Sequence, residues 1–295
     1  MKTSPITLAT SLIAAASIHA GTPASTPQQL MSESWLDHRI EPVTNPLFFE
    51  DPQIVSEARP IFMYHKIAPS FITGGGDVHV YALQLRWAIT PRLALIATKD
   101  GYIDFDPKSG LTSQEGWADI GLGLKYALID DRPHEFLLTP GIKFEFASGN
   151  RNVFQGNGAG YWDVFVGAAK GFGKFHLTTN VGFGIPDDFS KETSQFHFSA
   201  QADYWVCPWF IPFVSVNGFT VLSETSKGLP LNTEGFDLIN FGSSKAGGVT
   251  QVAVGTGFRS RLAKNLDFGF AFEKEVATPR GLYDERFTVD LIWRF

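Results

Sequence analysis

The sequence predicts an all-β chain, an antiparallel up-and-down sheet closed into a membrane-spanning β-barrel of about twelve strands, with ten to fourteen as the range. Three observations predict it. Apolar and polar residues alternate with a period of two in segments that recur from about Ala58 to Phe295. The breaks between segments are alternately short and long, and no apolar run approaches the ~20 residues that a membrane-crossing helix needs.

Composition agrees with that class. The 295 residues are 44% hydrophobic and 18% charged, a balance that suits one large ordered domain. Phe (27) and Gly (29) are abundant, which favours pleated, curved strands over helices. A formal net charge of −6 argues against nucleic acid as a partner, because phosphates demand a basic face. The single cysteine, Cys207, has no partner for an intramolecular disulfide and reads as a small residue beside the turn at Pro208.

The N-terminus reads as an export address. Lys2 precedes an apolar stretch from Ile6 to Ile18, followed by His19, Ala20 and Gly21, the order of a secretory signal peptide cleaved after Ala20. Residues 21–57 then show no period and carry several prolines, including Pro42 and Pro46. They are expected to form an irregular periplasmic lead-in. Trp35, Phe48 and Phe49 keep a second reading open, an arm that folds into a lumen, because aromatics seek something to bury against.

The barrel is expected over residues 58–295. Its last segment alternates best: Phe287, Val289, Leu291, Trp293 and Phe295 share one face, with Arg286, Thr288, Asp290 and Arg294 on the other. Phe136, Leu138, Ile142, Phe144 and Phe146 repeat the pattern against Thr139, Gly141, Lys143 and Glu145. Further copies lie around residues 120–126, 196–204 and 266–273. A soluble sandwich would also alternate, but its outer face would favour Ser, Thr and Lys. Here the polar faces carry Gly and charges of both signs, which suits a crowded lumen. The weakest strands are the first, broken by Pro60, and the third, where Lys99 falls on the outward parity.

Short turns fit at residues 90–92, 130–133, 171–173, 207–208 and 263–265, and longer polar connections between them, the longest at about 223–248. In a barrel of this kind short turns face the periplasm and long loops the outside. Trp87, Tyr126, Tyr204 and Trp293 fall near the short turns, and Phe146, Trp162, Phe183 and Phe272 near the long loops, as two interfacial belts.

The terminal strand with its final Phe295 resembles the C-terminal signature of Gram-negative outer-membrane β-barrel proteins, and the chain as a whole is similar to the porin-like, transporter-like barrels of that class. The resemblance implies a bacterial outer-membrane location, contact with its lipid, and delivery to the barrel-assembly machinery through that strand. It implies no substrate.

Candidate chemistry is sparse. His197 and Ser199 invite comparison with an outer-membrane phospholipase, but alternation puts both on the polar face rather than toward lipid. No metal spacing or dinucleotide loop is present in the sequence pattern, so no cofactor and no enzymatic activity are expected. The inward charges remain: Arg86, Asp119, Lys125, Lys143, Glu145, Asp163, Asp203, Arg259, Asp267, Glu273, Arg286, Asp290 and Arg294. Rings of such residues set selectivity in pores, or else neutralise one another and fill the interior. The first is the expected function, a conduit for small solutes; the alternative is a sealed barrel for structure, adhesion or partner binding. The 223–248 loop is left as constriction, cover or surface decoration.

Overall fold

The computed structural model describes residues 34–295; the expected signal peptide and residues 21–33 lie outside the described residues. Twelve antiparallel strands form a closed wall. They are β1 (Glu57–Ile67), β2 (Gly76–Thr90), β3 (Leu93–Lys99 continued by Tyr102–Pro107), β4 (Gln114–Trp117, Ile120–Tyr126 and Ile129–Asp131), β5 (Phe136–Phe146) and β6 (Tyr161–Phe172). Then come β7 (Phe175–Pro186), β8 (Gln195–Tyr204), β9 (Ile211–Val221), β10 (Thr250–Ala263), β11 (Leu266–Glu275) and β12 (Tyr283–Arg294). Each strand pairs with its sequence neighbours, and β1 pairs with both β2 and β12, which closes the sheet. Closure matters because an unpaired strand edge facing hydrocarbon would leave backbone N–H and C=O groups without partners.

Two weak points in the sequence pattern have local explanations. Pairing of β1 with β12 runs from Ala58–Trp293 to Ile61–Asp290 and skips Arg59 and Pro60, since proline has no N–H to give. A register shift between Ala97 and Lys99 swings Lys99 off the lipid face and onto Glu145, so the charge is paired inside.

The outer face is a continuous apolar band. Leu83, Leu85, Val164, Val166, Val181, Val214 and Leu291 all leave more than a third of their surface uncovered, a burial pattern that makes sense only against lipid. Trp87, Tyr126, Tyr204 and Trp293 ring the short-turn end, and Phe146, Trp162 and Phe183 ring the other. The chain therefore folds as a membrane-spanning barrel of the outer-membrane type.

The inner face differs from expectation in two respects. Residues 34–56 are not a periplasmic lead-in: they are folded into the lumen, where Ile40, Val43, Leu47 and Phe49 are buried. The inward residues of β1 to β3 are also largely apolar, with Ile61, Met63, Val78, Val80, Ile103 and Phe105 forming one cluster with Leu47. Those strands are greasy on both faces because one meets lipid and the other meets a filled interior.

Placing an arginine at the lipid-facing middle of β6, Val166→Arg, should lower stability by about 2–4 kcal/mol. Reversible urea unfolding of the vesicle-embedded protein measures it, and an unchanged midpoint would mean that Val166 does not face hydrocarbon.

Candidate functional site

The site is the lumen and what fills it. Ser34 caps a 3-10 turn at Trp35–Asp37 through a reciprocal bond with Asp37. Trp35 and Leu36 pack on Leu137 and Ala169 near the short-turn end. From there the arm runs inward to a tight turn at Asn45, whose carbonyl accepts from the N–H groups of Phe48 (3.2 Å) and Phe49 (2.9 Å), and returns to β1. Arg39 on the inbound limb clamps the outbound limb by pairing with Asp51 and donating to Gln53 at 3.3 Å.

An irregular segment has few internal partners for its carbonyls, so the wall must supply donors. Arg59 donates to Pro42 O (2.8 Å), Gln84 to Pro46 O (2.7 Å), Lys143 to Leu47 O (2.6 Å) and Thr139 to Pro52 O (2.6 Å). Arg259 reaches Glu41 O at 3.3 Å. Space for the arm comes from small inward residues: a Cβ added at Gly255 would lie 2.9 Å from the Thr44 methyl group.

The wall charges are engaged in three groups. Glu50 of the arm accepts from Arg86 (2.7 Å) and Lys125 (2.6 Å), while Arg86 also holds Glu57 at 3.0 Å. Glu41 accepts from Arg294 at 2.6 Å, and Arg294 bonds Asp267 at 2.9 Å. Asp290 takes Arg259 in a bidentate pair (2.8 and 3.0 Å) and accepts from Arg59 at 2.7 Å. Burying two ions costs several kcal/mol each unless they are paired and hydrogen-bonded, which is why every arm carboxylate here meets a cation.

The remaining residues of the inward set are spread more widely. Lys143 also pairs with Asp163 (2.9 Å), which accepts from His197 (2.8 Å), and Asp203 bonds His176 (2.7 Å). Glu145 holds Lys99. Asp119 instead braces a loop, accepting from the backbone of Gly149 (2.7 Å) and Gly156 (2.9 Å) and so fixing the 147–160 connection. Ser199 accepts from Asn45, so His197 and Ser199 are engaged with separate partners inside the wall.

The opposite end is covered by the long 222–249 connection, which folds inward. Asp237 chelates Arg286 through both oxygens (2.8 Å each), and Glu273 accepts from the same guanidinium at 2.9 Å. Phe236 packs on Phe219 and Tyr283, and Leu238 and Ile239 join the cluster around Leu47. Glu234 organises the loop by accepting from the N–H groups of Phe241 and Ser243, both at 2.7 Å. Of the three readings left open, constriction and cover describe it. The spaces left beside Phe48, one toward Lys143 and one toward Glu192, are about 20 Å³ each, room for about one water.

The sequence pattern did not reveal the partners of these charges on the arm. The signal that could have found them is the pairing of Trp35, Phe48 and Phe49 with Glu41, Glu50 and Asp51 in a stretch otherwise too apolar to be a linker.

No protein-family description matches this sequence, and no curated protein matches it either. Solved structures share the fold. An outer-membrane channel from Pseudomonas putida F1 is 13% identical with a TM-score of 0.60, over 87% of this chain and 100% of that one. The translocator domain of the autotransporter NalP from Neisseria meningitidis is 8% identical with a TM-score of 0.50, over 83% and 90% of the two chains. The KdgM porin is 8% identical with a TM-score of 0.47, over 80% and 99%. At such identities the likeness is one of fold.

In a Cys207→Ser background, Val43→Cys should resist a water-soluble maleimide in the folded protein, because Val43 is fully buried. Adding Arg39→Ala removes the clamp and should speed labelling by about tenfold or more, the equivalent of ~1.4 kcal/mol in opening free energy. Rapid labelling without Arg39→Ala would contradict a docked arm.

Glu192, in the 187–194 connection, provides a pH test. Burial, reinforced by the nearby Glu145 and Asp119 and opposed by Lys99, pushes its carboxyl up to about 8. The folded state therefore holds this proton more tightly than the unfolded one, so stability should fall as pH rises from about 4.5 to about 8 and level off above. Glu192→Gln should flatten that part of the pH profile in urea unfolding, and parallel profiles for the two proteins would refute it.

Proposed function

We propose that the protein is an outer-membrane channel for small solutes whose lumen is closed at rest by its own N-terminal arm and by the inward 222–249 loop. The observation that carries it is that the wall closes without the arm. Every strand finds both neighbours among the other strands, whereas residues 34–56 contribute no strand and touch the wall through side chains and isolated backbone N–H and carbonyl contacts. Removing such a segment leaves the hydrogen-bonded cylinder intact. Its departure would let water reach the charges it now neutralises, so they would not be stranded in a dry core.

The fit between arm and wall is also incomplete. Among the described residues the buried side-chain amide of Gln201 has no partner at either atom, and Nε2 of His176 and Oδ1 of Asn180 are likewise unpaired. Unsatisfied polar groups cost about 1–3 kcal/mol each, which lowers the cost of exchanging the arm for water. Ordering an irregular segment costs a further ~1–2 kcal/mol per residue, opposing the gain from burying Ile40, Val43, Leu47 and Phe49. A lumen wall so polar behind a removable filler supports conduction over a purely structural role. His197 and Ser199, each occupied by its own partner, support a lining role over catalysis.

Once the arm is displaced, the wall presents Arg59, Arg86, Lys99, Lys125, Lys143, Arg259, Arg286 and Arg294 against Glu57, Asp119, Glu145, Asp163, Asp203, Asp267, Glu273 and Asp290, charges of both signs in balance. The opened path is therefore expected to discriminate only weakly between anions and cations. Planar-bilayer recording tests both points. The full chain should conduct weakly or in brief events, and a variant lacking residues 34–56 with residues 228–245 replaced by a short Gly-Ser link should conduct steadily with little preference for ions of either sign. If that variant keeps its heat-modifiable gel mobility and is silent, the barrel is sealed by its wall and the channel proposal fails.

A further inference from the structure

The loop end of the barrel carries an apolar slot that the lumen does not use. Phe71 and Ile72 from the β1–β2 connection, Phe105 of β3, Leu111, Phe154 and Phe241 enclose about 250 Å³. Its walls are aromatic: Phe105 meets Phe154 edge-on at 5.6 Å, Phe154 meets Phe241 edge-on at 5.2 Å, and Phe71 lies against Phe241 at 5.8 Å. Phe154 holds its place at φ +58°, a left-handed conformation that costs a side-chain-bearing residue free energy. Ile72 at the rim is 73% exposed and Leu111 49%, an apolar edge on connecting loops, where water-facing residues are the rule.

Phe71, Ile72, Pro230 and Leu231 are shared with a larger open basin of about 850 Å³. Among the residues lining slot and basin, the charged ones are Lys245 and Arg280. Lys245 is exposed, and Arg280 is braced by a 2.7 Å bond to Asp284, leaving its other guanidinium nitrogen free of that contact. A carbon-lined slot opening onto two cations, on a chain of net charge −6, is complementary to one kind of molecule.

We propose that the outer mouth binds a small amphipathic anion, its ring or short chain in the slot between Phe105, Phe154 and Phe241 and its carboxylate or sulfonate at Lys245 and Arg280. The site is complete in the closed state and needs neither arm nor loop to move, although Phe241 and Lys245 belong to the 222–249 loop.

The experiment uses the full chain in lipid nanodiscs, with 1-naphthoate and 1-naphthylmethylammonium as probes and equilibrium dialysis as the readout. Naphthoate should bind saturably at one site per chain, above the level of empty nanodiscs, and the ammonium probe at least tenfold more weakly. Leu111→Trp, which fills the slot from its exposed rim, should abolish the saturable component. Lys245→Glu with Arg280→Gln should weaken naphthoate by tenfold or more while sparing the ammonium probe. Each variant is checked for heat-modifiable mobility. Naphthoate binding no greater than that of empty nanodiscs, binding unchanged in both folded variants, or equal binding of the two probes would each overturn the proposal. No voltage or flux enters the measurement, so a silent barrel leaves this result standing and a failed binding test leaves the channel proposal untouched.

Discussion

Closure of the wall is the constraint on which everything else in the structure depends. In hydrocarbon no backbone group can go unpaired, so β1 must find β12, and the Glu57–Arg294 register at that seam sets the cylinder. Closing the sheet fixes an interior, and the outward face, once given to Leu, Val and Phe, leaves most charged residues of the strands to that interior, while Lys66 and Lys274 pair with Glu285 outside near the loop end. Charges cannot stay there unpaired and dry. The arm resolves the conflict because it leaves β1 directly beneath the lumen and can return through it, bringing Glu41 and Glu50 to cations on the wall and pairing its own Arg39 with Asp51 to brace the fold. The last strand takes part twice: its backbone closes the sheet, with Phe295 N–H donating to Ser56 O, and its Arg294 side chain grips Glu41.

Much of the wall was legible from the chain because a strand in a membrane obeys a rule of period two that needs no tertiary knowledge. Phe287 to Phe295 display it with Ile292 as the one apolar residue on the polar face, and the same parity carried upstream finds the strands, the tight turns and the interfacial aromatics. Lys99 broke the parity, and the bulge that reconciles it is a single-residue shift that alternation cannot forecast. The arm was illegible for a different reason. An irregular segment has no period, and its partners are chosen by three-dimensional register: Glu50 meets Arg86 and Lys125 from two strands that are separated by almost forty residues in sequence. The apolar inner face of β1 to β3 was visible as Ile61, Met63, Val78 and Val80, residues of the inward parity, but its meaning depends on Leu47 and Leu238 arriving to cover it.

The two closures are not independent of one another. Phe48 at the apex of the arm packs edge-on against Phe219 at 5.2 Å, and Phe219 lies 4.7 Å from Phe236 of the loop, which in turn stacks near Tyr283. Leu47 beside it shares a cluster with Leu238 and Ile239. Withdrawing the arm therefore strips one side from the apolar contacts that hold the loop inward, and lifting the loop exposes the apex of the arm. Tightly packed interfaces of this kind switch between discrete arrangements because partial displacement loses contacts on both sides without gaining water-filled space. The Asp237–Arg286–Glu273 group gives the loop a polar latch, which the arm also reaches through the Asn45 backbone against Glu273. Opening from outside must break that latch first, whereas opening from the periplasmic side must first release Arg39 from Asp51 and Arg294 from Glu41. The same apolar apex yields in either order, so in the proposed opening Phe48 couples the two closures through Phe219 and Phe236.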